Sequence, residues 1–175
     1  MLRTILTYGV IAGLIVSANF FVALGIVSLQ HHNNLLYGYL VMLVALSFVF
    51  VAIKRYRDRS LGGVIRFLPA LGVGLGVSAV AGVIYTLGWE ISLAATHYEF
   101  ADSYGAAMIA AARAHGASPA RLAQVADQMQ AFKVQYANPL YRLPMTFVEI
   151  FPVGVVISLI SAALLRNSRF LPARG

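Results

Sequence analysis

Residues 35–59 read LLYGYLVMLVALSFVFVAIKRYRDR. The first nineteen, Leu35 to Ile53, carry no charge, and five of the next six are charged. At 1.5 Å per residue, nineteen helical residues reach about 28 Å, close to the ~30 Å hydrocarbon core of a bilayer. Tyr37 and Tyr39 stand where interfacial aromatics sit. An apolar run of this length, cut off abruptly by Lys54, Arg55, Arg57 and Arg59, predicts a membrane-crossing helix with its basic end in the headgroup layer.

Three more stretches follow the same logic. Ile5 to Leu29 gives about 37 Å of helix, Phe67 to Ala95 about 43 Å and Leu143 to Leu165 about 34 Å. The first could open as a cleaved signal peptide at Val16-Ser17-Ala18. Its apolar run continues through Phe20–Val27, past the 7–15 residues of a signal core, which favours a span. Composition agrees. Hydrophobic residues make up 60% and charged ones 11% of 175 residues, against about 45–50% and 25% in soluble domains. A soluble fold of this size could not bury that much apolar surface.

Residues 96–142 differ, with scattered charges and many alanines. Phe100–His115 reads as one helix ending at Gly116. Ser118-Pro119 opens a second, with Leu122, Val125, Met129, Phe132 and Tyr136 along one face. The expected fold is therefore all-α: a four-helix transmembrane bundle, with an extramembrane helical hairpin at about 96–142 and a basic loop at 54–66.

With four spans, Arg3, the five basic residues of 54–66, and Arg166, Arg169 and Arg174 share one side. That is more than two-thirds of the thirteen Lys and Arg. Cations resist translocation, so this side and both termini are expected in the cytoplasm of a bacterial inner membrane. The net charge of +7 follows span edges rather than one polar face, which argues against nucleic acid as partner. Lys54, Arg55, Arg57, Arg59 and Arg66 are candidate contacts for anionic lipid, or serve only to fix topology.

Glu90 and Glu149 are the sharpest candidates for chemistry, with Trp89 and Pro152 beside them. A carboxylate within a span is costly and usually faces the bundle with a partner. Two readings stand: a shared polar pocket able to hold a proton or cation, or structural ion pairing, with Arg142 as partner. Pro152 should kink the last span and free a carbonyl. Asp58, three residues after Arg55, could pair with it if the helix continues. His31, His32, His97 and His115 lack the i, i+4 spacing of a helical metal site, so no metal or other cofactor is expected. The absence of cysteine removes thiolate chemistry.

Small residues recur four apart: Gly9, Gly13 and Ser17 in the first span, Gly72 and Gly76, then Gly74, Ser78 and Gly82, in the third. They let helix backbones approach closely within the bundle, or at an interface with a second copy or another membrane protein.

Ile53-Lys54-Arg55-Tyr56-Arg57-Asp58, Leu61-Gly62-Gly63-Val64-Ile65, Trp89-Glu90, Asn138-Pro139 and Glu149-Ile150-Phe151-Pro152-Val153-Gly154 together resemble the bacterial family called domain of unknown function 4199. The resemblance runs from the second span to Arg166-Asn167. It implies a small multi-pass bacterial membrane protein and carries no activity with it. No Ser/His/Asp set, HExxH or nucleotide fingerprint is present. The leading expectation is a non-enzymatic structural or accessory membrane protein. A small proton- or cation-coupled transporter built on Glu90 and Glu149 is the alternative, and a lipid-directed enzyme is a weaker third for want of a catalytic set.

Overall fold

A computed structural model describes residues 1–26 and 35–173, which form six helices and no strand among them. They are α1 (Leu2–Ile26), α2 (Leu35–Ser60), α3 (Phe67–Ala95), α4 (Phe100–Ala114), α5 (Pro119–Tyr136) and α6 (Pro139–Leu165). Of these, α1, α2, α3 and α6 are long and apolar enough to cross a membrane. The chain divides into two compact units, Met1–Trp89 with Phe147–Gly175, and Glu90–Thr146. Each is described by itself.

In the first unit a continuous apolar core draws on α1, α2, α3 and α6, with Ala12, Leu46, Val49, Val73, Val77 and Ile150 almost wholly buried. Large apolar side chains also point outward from the same helices, Leu14, Leu40, Val44, Leu87, Val156 and Ile160 among them. An exposed apolar surface of this kind suits hydrocarbon rather than water.

Two small-residue stripes set the packing. Along α1, a Cβ added at Gly9 would lie 2.5 Å from Val80 Cβ, and one at Gly13 2.6 Å from Ile84 Cβ. Ser17 Oγ donates to the Ile84 carbonyl at 3.2 Å. On α3, Gly74 is closed by Ser158, Ser78 faces Gly154, and Gly82 is covered by the Phe147 ring. Where α3 and α6 meet, Ser78 Oγ and Ser158 Oγ are 3.3 Å apart, and each also donates to the carbonyl four residues back in its own helix. Of the glycines singled out by spacing, Gly76 meets Ile5, whereas Gly72 has nothing within 4 Å. Gly154-x-x-x-Ser158, the matching stripe on α6, belongs with them.

The basic segment differs from the expected loop at 54–66. Residues 54–60 remain helical, and only 61–66 form the connection. The reason lies in the pairing: Lys54 Nζ bonds Asp58 Oδ2 one turn on, which supports the helix, while Arg55 turns to the Tyr8 hydroxyl at 2.5 Å. The expected Arg55–Asp58 pair is thus replaced by Lys54–Asp58 and Arg57–Asp58.

Arg57 is corrected most. Expected at the lipid surface, it is fully buried. Its Nε donates to Asp58 Oδ1 at 2.7 Å. Nη1 donates to the carbonyls of Leu165 (3.3 Å) and Phe170 (3.0 Å), and Nη2 to that of Leu171 (2.5 Å). One guanidinium therefore joins the end of α2 to the carboxyl end of α6 and the chain after it, where the helix dipole is negative. Phe170 also meets Phe50 edge-on at 6.4 Å.

α6 begins at Pro139, four residues before the expected Leu143, because Asn138 Oδ1 accepts from the Leu140 N–H and proline suits the first helical position. It remains helical through Pro152.

Two expectations follow. Gly74→Leu and Gly154→Leu should each lower the midpoint of thermal unfolding in mild detergent by several degrees, from overpacking of about 1–3 kcal/mol, whereas Gly72→Leu should leave it unchanged. Equal melting of all three variants would show that the stripes do not set the packing. Arg57→Met should cost about 2 kcal/mol or more, by stranding several carbonyls, against less than about 0.5 for exposed Arg59→Met. Indistinguishable unfolding of the two arginine variants would remove the clamp.

Candidate functional site

The second unit starts from the hairpin of α4 and α5. Gly116, at φ 74°, makes the turn, and Ser118 Oγ accepts from the Arg121 N–H at 3.3 Å to cap α5 with Pro119 behind it. The two helices meet through aromatic rings spaced four apart on each: Phe100 and Tyr104 on α4, Phe132 and Tyr136 on α5, with centroids 5.1–5.8 Å apart. Gly105 lets Met129 approach.

Between α3 and α4 the chain takes two consecutive left-handed residues that are not glycine, His97 (φ 51°) and Tyr98 (φ 61°), and the Tyr98 N–H returns to the Leu93 carbonyl at 2.8 Å. Such conformations cost about 1–3 kcal/mol each and persist where surrounding contacts hold them. Here the hold is on Arg142, whose guanidinium carbon lies 5.3 Å from the Tyr98 ring centroid and 5.7 Å from that of Tyr136.

Arg142 is buried and grips Glu90 with two arms, Nε to Oε1 at 2.6 Å and Nη2 to Oε2 at 2.7 Å. Nη1 donates to the Tyr136 carbonyl at 2.9 Å. A planar fork matched to both carboxylate oxygens is the strongest form of this pair. Of the two readings open for Glu90, the structure favours ion pairing.

Arg142 also lines a cavity of about 430 Å³. Leu93, Ala101, Ala137 and Pro139 supply apolar wall, Tyr98 and Tyr136 supply rings, and Lys133 is the second cation. Lys133 Nζ bonds Asp102 Oδ1 at 2.5 Å, with the two side chains 47% and 59% exposed. Neither Asp102 nor Glu90 lines the cavity.

The remaining residues singled out by sequence are placed as follows. Glu149, in the other unit, is exposed on α6 and accepts a hydrogen bond from the Tyr85 side chain. Glu90 and Glu149 thus have different partners. Trp89 stacks at a tilt on Phe20, 5.0 Å between centroids, and Pro152 is exposed. Arg55, Arg59 and Arg66 are exposed and Lys54 half-buried, so these four remain open to headgroups while Arg57 is not. His97 and His115 are exposed, and His31 and His32 lie outside the described residues. No group of three or more metal-donor side chains occurs among the described residues.

The sequence offers Arg142 as a partner for either Glu90 or Glu149, and the structure gives it to Glu90. The cavity, Tyr98 and Lys133 went unseen. The i, i+4 aromatics of α4 and α5 were the available signal for that region.

No curated protein and no solved structure matches the chain. A family model described as "Protein of unknown function (DUF4199)" matches residues 7–167, nearly the whole chain, and the chain belongs to that family.

Proposed function

We propose that this multi-pass membrane protein is a non-enzymatic structural or accessory component of a bacterial inner membrane, with both termini in the cytoplasm. The observation that carries the reading is the state of Glu90. Both of its oxygens are taken by Arg142, whose remaining bond goes to a backbone carbonyl. A carboxylate locked in a forked ion pair is a structural tie and a poor proton shuttle. The same economy holds elsewhere, since no buried side-chain nitrogen or oxygen among the described residues lacks a partner. Orientation rests on the asymmetry of lysine and arginine between the two sides. Exposed Arg55, Arg59 and Arg66 suit anionic headgroups on the cytoplasmic face.

A second reading is favoured by one observation. Glu149 is exposed on a membrane-length helix with a tyrosine hydroxyl as its hydrogen-bond partner, and an intramembrane carboxylate is often part of an ion or proton path. That would make the protein a small proton- or cation-coupled carrier.

Liposomes loaded with a pH-sensitive dye separate the two. Under an imposed membrane potential, proton flux through the purified protein should equal that of protein-free vesicles. A flux abolished by Glu149→Gln or Glu90→Gln would establish the carrier and overturn the structural reading. In parallel, Arg142→Met should destabilise by about 3 kcal/mol by leaving Glu90 unpaired, and the double change Glu90→Met with Arg142→Met should recover much of that loss. Thermal unfolding in detergent reads both. No recovery in the double variant would mean that Arg142 acts through something other than Glu90.

A further inference from the structure

The cavity of residues 90–146 has a charge arrangement that the pairing of Glu90 does not explain. Its wall carries two cations, Lys133 and Arg142, and no carboxylate, because Asp102 and Glu90 approach those cations from outside the lining. The cationic ends of two ion pairs therefore face an otherwise apolar space, and a negative charge placed there is favoured. The first turn of α6 starts in the same wall at Pro139, and the positive end of that helix dipole adds to the effect.

The two cations are not equally committed. Arg142 spends three of its five N–H donors on Glu90 and the Tyr136 carbonyl. Lys133 and Asp102 form an exposed pair, which contributes little and is easily exchanged for a better acceptor. Tyr98 is held at its place by a strained left-handed turn, which fixes one wall in advance of any ligand. Small-molecule sites are mostly apolar, with a few placed polar groups and volumes of roughly 300–1,000 Å³. At 430 Å³ this one falls within that range. It has room for about fourteen water-sized groups, enough for one chain of about a dozen methylenes.

We propose that this cavity is a binding site for a single-chain aliphatic carboxylate. Its head is held by Lys133 and by the unspent N–H groups of Arg142, and its chain lies against Leu93, Ala101, Ala137 and Pro139. Leu93 is in the last turn of α3 and Pro139 opens α6, two helices long enough to cross a membrane, which suits an amphiphile as the ligand. The site stands whether the protein is an accessory component or a carrier.

The test uses the full-length protein in a non-ionic detergent and radiolabelled dodecanoate, with dodecanol, dodecylamine and phosphatidylglycerol as competitors. Dodecanoate should bind saturably, one per chain, and at least tenfold more tightly than dodecanol or dodecylamine displaces it. Lys133→Gln should weaken binding at least tenfold and Lys133→Arg should retain it, while Arg113→Gln, an exposed cation on α4, should have no effect. Ala137→Trp, which fills the cavity, should abolish binding. If that variant melts early, Lys133→Gln alone decides, because Lys133 is half exposed and its loss leaves the fold intact. Equal displacement by dodecanol, equal losses in Lys133→Gln and Arg113→Gln, or displacement by phosphatidylglycerol as strong as by dodecanoate itself would each overturn the proposal.

Discussion

Hydrocarbon removes the force that drives helices together in water, because a lipid tail is as apolar as a leucine. What remains is close packing and the satisfaction of polar groups, and the first unit is built on both at α3. This helix is approached by Gly9 and Gly13 of α1 along one face and by Gly154 and Ser158 of α6 along another. Neither approach survives a Cβ at the contact, since the added atom would lie within 3 Å of a neighbour. The serines complete the arrangement: Ser78 and Ser158 each bond their own helix and share a contact across the seam, so polarity is placed between backbones without an unsatisfied group. The outward leucines and valines of the four helices are then free to match lipid and carry no packing duty.

The same requirement for internal satisfaction explains two buried arginines, met in different ways. Arg57 uses four donor bonds, one to Asp58 and three to main-chain carbonyls at and beyond the end of α6. Its charge is balanced locally and its geometry is consumed, so it acts as a clamp and offers nothing to a ligand. Arg142 is balanced by one carboxylate and shielded by two rings, with donors to spare. Burial alone does not separate a structural arginine from a functional one. The donor inventory does.

Much of this could be read from the residues, and the limit has a physical cause. Long apolar helices, the hairpin, its Ser118 cap and most of the Gly/Ser stripes are written in local pattern, in apolar run length and in spacings of three and four, although α6 starts earlier than its apolar run and Gly72 packs against nothing. Arg57 was misread because a basic cluster closing a span looks solvated, and because its partners are main-chain carbonyls, which leave no mark in the sequence. The helical run through Ser60 was hidden for a related reason: a string of charges reads as loop until Lys54 is known to reach Asp58. Tyr98 lies in a left-handed turn without the glycine that normally announces one. Gly154-x-x-x-Ser158 was legible by the rule applied to α3, but the proline beside it drew attention to a kink instead.

Glu90 shows what composition alone leaves open about chemistry. A carboxylate near the end of an apolar helix invites a proton relay, and its i±4 neighbours on α3 give no cation to contradict that. The neutralising arginine comes from 52 residues later in the chain, at the first turn of α6. Once it is in place, the Glu90–Arg142 pair carries no net charge, and its effect at the cavity, like that of Lys133–Asp102, depends on how the pair is turned. In both, the cation lines the cavity and the carboxylate does not. Two neutral pairs oriented in this way make a positive lining without net charge, at lower desolvation penalty than two bare cations would carry. Such a lining selects the sign of a ligand's head while leaving most of the wall free to take its apolar part.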